Sequence, residues 1–295
     1  MKVNPNLPLS DIGYYSEVDG CAYTEAGIAK ILAKLTKPDG WCVEFGAWDG
    51  LVGSTSRNLI LNHGYSAVLI EGNLNRFRDL QKNYAGLSQV VTLNQFVDFN
   101  ANGSSRLDEL LSPTAIPQDF DFLVVDIDGN DYHVWNAVVK YRPKIVMIEF
   151  KPTIPPEIIF IQPADASLNE GNSLAALVEL GKRKGYELIS VVGVNAFFSA
   201  VEFFPQFQLV DNRIETLWTK RDCVTYIFSG YDGQIFLRGS RKLPWHENIP
   251  LKESQLQVLP AFLRKYPFTR RHRIIHTCLT NPLAIIQKLF KRIVK

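Results

Sequence analysis

From residue 25 onward, two rhythms of apolar and polar positions alternate along the chain. Residues 26–35 carry apolar side chains at helical spacing and stop at Pro38-Asp39-Gly40. Residues 41–45 form a short apolar run of strand length. The exchange then repeats. Strands are predicted at 66–70, 90–93, 122–126 and 144–150. Helices are predicted at 54–62 with Ser54 or Thr55 as cap, at 75–84, on a short stretch to Leu111 capped by Ser104 or Ser105, and at 132–141. Residues 151–166 are proline-rich and irregular. A helix over 172–184 ends at Gly185, and strands at 186–192 and 195–203 follow, joined by a very short turn that forces an antiparallel pair. Repeated strand–helix units with short connections predict an α/β domain with a doubly wound, mostly parallel sheet and an antiparallel terminal hairpin. The pattern changes after Phe204, where 224–228 and 234–237 read as a second hairpin. The expected domains are therefore 1–205, with a helical lead-in over 1–39, and an extension over 206–295.

The chain has 295 residues, 46% hydrophobic and 21% charged, which suits a globule with a sizeable core. Its formal charge of +2 conceals a split. Thirteen Lys and Arg against two acids put residues 234–295 at +11, and nineteen against twenty-eight put the rest at −9. A basic tail of that size implies an anionic partner or a fold back onto the acidic body. Residues 282–295 form an amphipathic helix, with Lys288, Lys291, Arg292 and Lys295 on one face and Ile286, Leu289, Phe290 and Ile293 on the other. With Arg270-Arg271-His272-Arg273 ahead of it, the segment 270–295 suits an anionic membrane surface. Docking on the body is the alternative. Nucleic acid is not expected, since the basic residues are not interleaved with aromatics in a binding module. Cys21, Cys42, Cys223 and Cys278 have no metal spacing and read as reduced thiols. Residues 1–10 lack a signal-peptide core, and no apolar run reaches about 18 residues. The expected location is cytoplasmic, peripheral on the inner membrane face.

Ligands of open α/β sheets bind beyond the carboxyl ends of the strands. That rule selects Glu44, Gly46, Asp49 and Gly50 after the first strand, Glu71 after the second and Asn94 after the third. It also selects Asp126 and Asp128 after the fourth and Glu149 at the end of the fifth. Glycines permit close backbone approach. The acidic turn disfavours a pyrophosphate and suits a ligand with a cationic group and hydroxyls. Glu71 can accept from both ribose hydroxyls of a nucleoside, or serve as a turn acid. Asn94 can meet an adenine edge. Three carboxylates in Asp126-Ile127-Asp128-Gly129-Asn130-Asp131 repel one another unless a cation sits among them. A substrate ammonium or a hard metal such as Mg²⁺, held by Asp126, Asp128 and Glu149, would serve. The helix-capping alternative gives Asp131 a purely local role. His133 is a candidate general base or a surface histidine. The serine-hydrolase and P-loop motifs are missing.

Taken in order, Val43 to Gly50, Val68-Leu69-Ile70-Glu71-Gly72-Asn73, the run from Asp126 to Asp131, Gly185-Tyr186-Glu187-Leu188 and Asn195-Ala196-Phe197-Phe198 resemble the FkbM-like class of S-adenosylmethionine-dependent methyltransferases. The resemblance spans residues 40–203. It implies a Rossmann-like class I methyltransferase fold with seven strands, S-adenosylmethionine as cofactor, and methyl transfer to oxygen on a sugar, glycan, lipid-linked glycan or natural-product acceptor. Where the family shows Asp-Val-Glu-Gly-x-Glu, this chain keeps each acid but shortens two, at Asp128 and Asp131. Asp128 or His133 would take the acceptor proton. The competing reading is a non-catalytic, membrane-associated scaffold that retains the fold.

Overall fold

The computed structural model describes residues 25–35, 38–100, 103–264, 266 and 269–293, without the side chains of 25–27, 288, 289 and 291–293. The expectations for residues 1–24, including Cys21 and the first part of the lead-in, lie outside the described residues. So do those for the side chains of Lys288, Leu289, Lys291, Arg292 and Ile293, and for Lys295. The chain divides into two compact units, Met1–Arg221 and Asp222–Lys295.

The first unit alternates α1 (Glu25–Leu32), β1 (Trp41–Phe45), α2 (Arg57–His63), β2 (Ser66–Ile70), α3 (Leu74–Asn83), β3 (Val90–Leu93), α4 (Leu107–Leu111), β4 (Phe122–Val125), α5 (Asp131–Ala137), β5 (Ile145–Glu149), α6 (Leu174–Arg183), β6 (Tyr186–Val192) and β7 (Asn195–Ala200). The seven strands form one sheet in the order β3-β2-β1-β4-β5-β7-β6. All neighbours pair in parallel except β7, which runs antiparallel to both β5 and β6. This is a Rossmann-like α/β architecture, a mostly parallel seven-stranded sheet with an antiparallel end strand, as the alternating sequence pattern predicts. The order reverses between β1 and β4, which opens a crevice beyond their carboxyl ends. The central strands β1, β2, β4 and β5 are buried almost throughout because helices cover both faces.

A charged cluster pins the opposite, amino end of the sheet. The Lys144 ammonium contacts Asp121 at 2.7 Å and Asp39 at 3.0 Å, and the Asp39 and Gly40 amides donate to the Asp121 carboxylate. These residues precede β5, β4 and β1, so one buried ion network fixes the entry of three strands.

Several predicted boundaries moved for local reasons. The helix expected at 54–62 starts at Arg57, and neither Ser54 nor Thr55 caps it, since both bond Glu44 instead. Neither Ser104 nor Ser105 caps α4; its N-cap is Arg106. The helix expected at 132–141 stops at Ala137 because the buried Asp108 carboxylate accepts the amides of Val139, Lys140 and Tyr141. The first unit also continues past residue 205. Through a 3-10 helix (Phe204–Phe207) and α7 (Ile214–Leu217), Phe207, Leu217 and Trp218 are buried, with the Trp218 ring edge-on to Phe150.

The second unit contains the antiparallel hairpin β8 (Thr225–Ser229) and β9 (Ile235–Gly239). It also holds a two-residue pair, β10 (Lys242–Leu243) with β11 (Ile249–Pro250), and the helices α8 (Arg270–Thr280) and α9 (Pro282–Ile293). Leu283, Ile286 and Phe290 are exposed on α9. No helix among the described residues is long and apolar enough to cross a membrane.

Candidate functional site

A cavity of about 560 Å³ opens beyond the carboxyl ends of β1–β4. Phe45 and Gly46 line it from β1 and Glu71 and Gly72 from β2. Residues 95–100 and Ser105 come from the segment after β3, Ile127 and Asn130 from the turn after β4, and Ala166 and Asn169 from the long connection between β5 and α6. The volume and the mixed apolar and polar lining suit a nucleoside-sized ligand.

Glu71 is nearly buried. One carboxylate oxygen accepts the Trp48 amide at 2.8 Å and the other the Asn73 amide at 2.7 Å. Each oxygen keeps a lone pair for a ligand hydroxyl. Asn94 acts from behind: its side-chain amide donates to the Glu71 and Gly72 carbonyls, so it braces the β2 tip and does not line the cavity. Gly46 (φ 74°) needs its missing side chain, since a Cβ there would meet the Asp126 carbonyl oxygen at 2.7 Å. Gly50 also has positive φ, but its open space is filled by Tyr84 and Leu80 and not by a ligand surface. Asp49 spends one oxygen on the amides of Leu51 and Val52.

Glu44 points into the protein. Its carboxylate accepts the Ser54 hydroxyl, the Thr55 amide and both the amide and hydroxyl of Ser56, so it holds the loop between β1 and α2 and is not among the cavity-lining residues. Burial raises its pKa, against the pull of those four donors. Side chains alternate across a strand, so Cys42, Glu44, Leu69, Glu71, Phe122, Val124, Met147 and Glu149 share one face of the sheet.

Asp126, Asp128 and Glu149 come together as anticipated. Each offers a carboxylate oxygen, and the three atoms lie within 4.8 Å of one another. Burial first, then the neighbouring acids, pushes both Asp126 and Glu149 upward, and the Lys151 charge opposes the rise at Glu149 without cancelling it. Asp128 is exposed and adopts φ 59°. The buried Asp131 carboxylate holds it there by accepting the amides on either side, Ile127 and Gly129; burial raises Asp131 to about 6. His133 lies outside the three-acid cluster. Its Nε2 is 2.8 Å from the Gln162 carbonyl and its ring packs against Phe99 and Tyr132. A carbonyl only accepts, so Nε2 carries the proton and Nδ1 is the basic nitrogen of the neutral ring.

Sequence reasoning passed over Asn130 and Gln162. Asn130 lines the cavity and donates to the Asp165 carbonyl, and its buried Oδ1 has no partner. Gln162 organises the β5–α6 connection. It donates to the Leu168 carbonyl and accepts the Glu170 and Gly171 amides, so Ala166 and Asn169 reach the cavity wall. Only the proline-rich irregularity of residues 151–166 hinted at this wall.

No protein-family model matches the chain, and no curated protein matches it. Solved structures similar to it include three methyltransferases. The glycopeptide N-methyltransferase MtfA, complexed with S-adenosyl-L-methionine, is 12% identical, with 64% of this chain and 93% of that one covered at a TM-score of 0.35. The O-methyltransferase NcsB1 from neocarzinostatin biosynthesis is 16% identical, over 59% and 53% of the two chains, at 0.36. The CurJ carbon methyltransferase is 10% identical, over 60% and 52%, at 0.40.

Proposed function

We propose that the protein is an S-adenosylmethionine-dependent methyltransferase acting on a hydroxyl of a sugar, glycan or lipid-linked glycan. One observation carries this reading. The cavity at the sheet's switch point combines a carboxylate with free lone pairs (Glu71), a glycine at the closest backbone approach (Gly46) and a buried acceptor without a partner (Asn130 Oδ1). A nucleoside supplies hydroxyl donors for the first and a donor for the third, and it needs the space left by the second. The bound cofactor would contribute an electrophilic methyl group on a sulfonium.

The chain's part is to orient and to accept a proton. Glu71 holds the ribose, Phe45 and Ile127 exclude water from the inner wall, and the acids beyond Gly46 favour a positively charged cofactor over a neutral product. Gln95, Asp98, Ser105 and Asn169 give the cavity a polar wall that suits a hydroxyl-rich acceptor. Of the two candidate bases, Asp128 is exposed beside the wall, while His133 has one nitrogen committed to Gln162. We therefore assign the acceptor proton to Asp128. The exposed Leu283, Ile286 and Phe290 of α9 and the excess of Lys and Arg in the sequence of residues 270–295 support attachment to an anionic membrane face.

Calorimetry with S-adenosylmethionine on the folded protein tests the reading. Binding that Gly46→Trp abolishes is expected, and the absence of heat at millimolar cofactor defeats it. Binding with no methyl transfer to any glycan pool would instead favour a scaffold that retains the fold.

A further inference from the structure

The second unit has a cavity of its own, about 280 Å³, between the β8–β9 turn, the segment leading into α8, and α8 itself. Its charged or titratable walls are Asp232, Arg264 and His276. Arg264 is only 9% exposed, and an arginine so buried is ordinarily paired with an anion. Here its bonded acceptors are neutral. Of the five guanidinium N–H donors, Nε goes to the Leu259 carbonyl at 3.1 Å, Nη1 to Gln234 Oε1 at 3.4 Å and Nη2 to Gln257 Oε1 at 3.1 Å. Two donors have no partner among the described residues. The fork is fixed without a ligand, because Gln257 accepts the Ile235 amide and donates to the Ile235 and Glu253 carbonyls, which aims its oxygen at Arg264.

Two acceptors stand beside this unspent cation. Asp232 Oδ1 takes the Gln234 amide at 3.0 Å, but Oδ2 accepts no hydrogen bond from the described residues and lies 3.7 Å from Arg264 Nη1, beyond hydrogen-bond reach. His276 Nδ1 is 3.4 Å from Thr280 Oγ1, and its Nε2 has no partner among the described residues. A ligand for this cavity therefore needs oxygens that accept from a guanidinium and an O–H that a carboxylate accepts.

We propose that this cavity binds a phosphate monoester, with phosphoryl oxygens on Arg264 and the P–OH on Asp232.

Other ligands answer only part of the site. A neutral polyol leaves the buried cation without an anion. A sulfate or a phosphodiester has no proton to offer, so Asp232 repels it; the acid selects among anions by excluding these. The monoanionic monoester satisfies both groups, and His276 Nε2 is a second partner for its hydroxyl. Ile235 and Leu259 give the cavity an apolar wall for the carbon part of the ester. The field around the site also favours an anion. Thirteen Lys and Arg against four acids put residues 222–295 at +9. The site lies wholly within the second unit and does not depend on methyl transfer.

Calorimetry of the full chain with inorganic phosphate, at about pH 6 where a singly protonated phosphoryl group is well populated, tests the proposal against sulfate as the control ion. One phosphate per chain is expected, with sulfate weaker by about tenfold or more because of its contact with Asp232. Arg264→Gln should abolish phosphate binding. Asp232→Asn places a donor where Oδ2 stood and should bring sulfate close to phosphate in affinity. Thermal melting reports whether the variants fold, and the partly exposed Asp232 keeps the test decisive if Arg264→Gln does not. No binding of phosphate at millimolar concentration, or equal binding of phosphate and sulfate by the wild type, overturns the proposal. Sedimentation with phosphatidylcholine vesicles containing phosphatidic acid, a monoester, or phosphatidylglycerol, a diester, then separates the sources of the group. A preference for phosphatidic acid that Arg264→Gln removes assigns the monoester to a lipid, and equal sedimentation assigns it to a soluble compound such as a sugar phosphate.

Discussion

The Glu71 carboxylate accepts the main-chain N–H of Trp48 at 2.8 Å and so ties the tip of β2 to the loop that follows β1. One side chain thereby both shapes the cavity and faces it. Glu71→Ala should weaken S-adenosylmethionine binding roughly ten- to a hundredfold, the range expected for hydrogen bonds to a charged group. Glu71→Gln should lose less, because one acceptor oxygen remains. Calorimetry on the two variants gives the ranking, and equal affinity for wild type and Glu71→Ala would remove Glu71 from the binding surface.

Gly46 and Gly50 both have positive φ but should separate in their effects. Alanine at either position costs about 1–2 kcal/mol for the left-handed backbone, plus the collision with Asp126 at one and with Tyr84 and Leu80 at the other. Both variants should melt at lower temperature. Only Gly46→Ala should also lose cofactor affinity measured well below its melting point, since only Gly46 lines the cavity.

Glu44 should behave as a structural residue. Glu44→Ala leaves the donors of Ser54, Thr55 and Ser56 without their acceptor, a loss of about 1–3 kcal/mol in urea unfolding. Its effect on cofactor affinity should be smaller than that of Glu71→Ala. The reverse order would mean that the carboxylate turns outward to a ligand.

At the other end of the sheet, Lys144→Met should destabilise the protein by about 3–5 kcal/mol, because Asp121 is fully buried beside it. The Lys144 pKa is raised: burial works against the charge, but the bonds to Asp121 and Asp39 outweigh it. A lysine with a raised folded value contributes fully below its unfolded value, near 10.4, and loses that contribution as pH climbs through the folded one. Wild-type stability should therefore fall on the alkaline side above about pH 10.4, and Lys144→Met should lack that limb. Chemical unfolding at several pH values reads both.

Removing residues 281–295 should leave cofactor binding unchanged and abolish co-sedimentation with phosphatidylserine vesicles. Binding by the intact chain should weaken as salt rises, since each Lys or Arg near such a surface contributes about 1 kcal/mol that salt screens. Vesicle binding that survives the truncation would locate the contact elsewhere.

Much of this architecture was legible in the sequence because it depends on local pattern. Apolar runs of strand length, helical spacing between them and the short turn at Gly193 and Val194 specify β1 to β7 and the antiparallel end. The carboxyl-end rule then collects Gly46, Glu71, Asp126, Asp128 and Glu149 at one edge. What a side chain does once it arrives depends on neighbours distant in the chain. Glu44 and Glu71 are both acids at strand ends on the same face, yet the loop hydroxyls of Ser54 and Ser56 close around one, while the other stays at the cavity wall. Asp108 ends α5 across 31 to 33 residues, and Gln162 builds a wall from a segment without periodicity. The pairing of Glu149 with Asn195 exists only through the register of β7. Periodicity reports which face of an element is buried, but hydrogen-bond partnership is set by packing between elements, and that is decided only when the sheet closes.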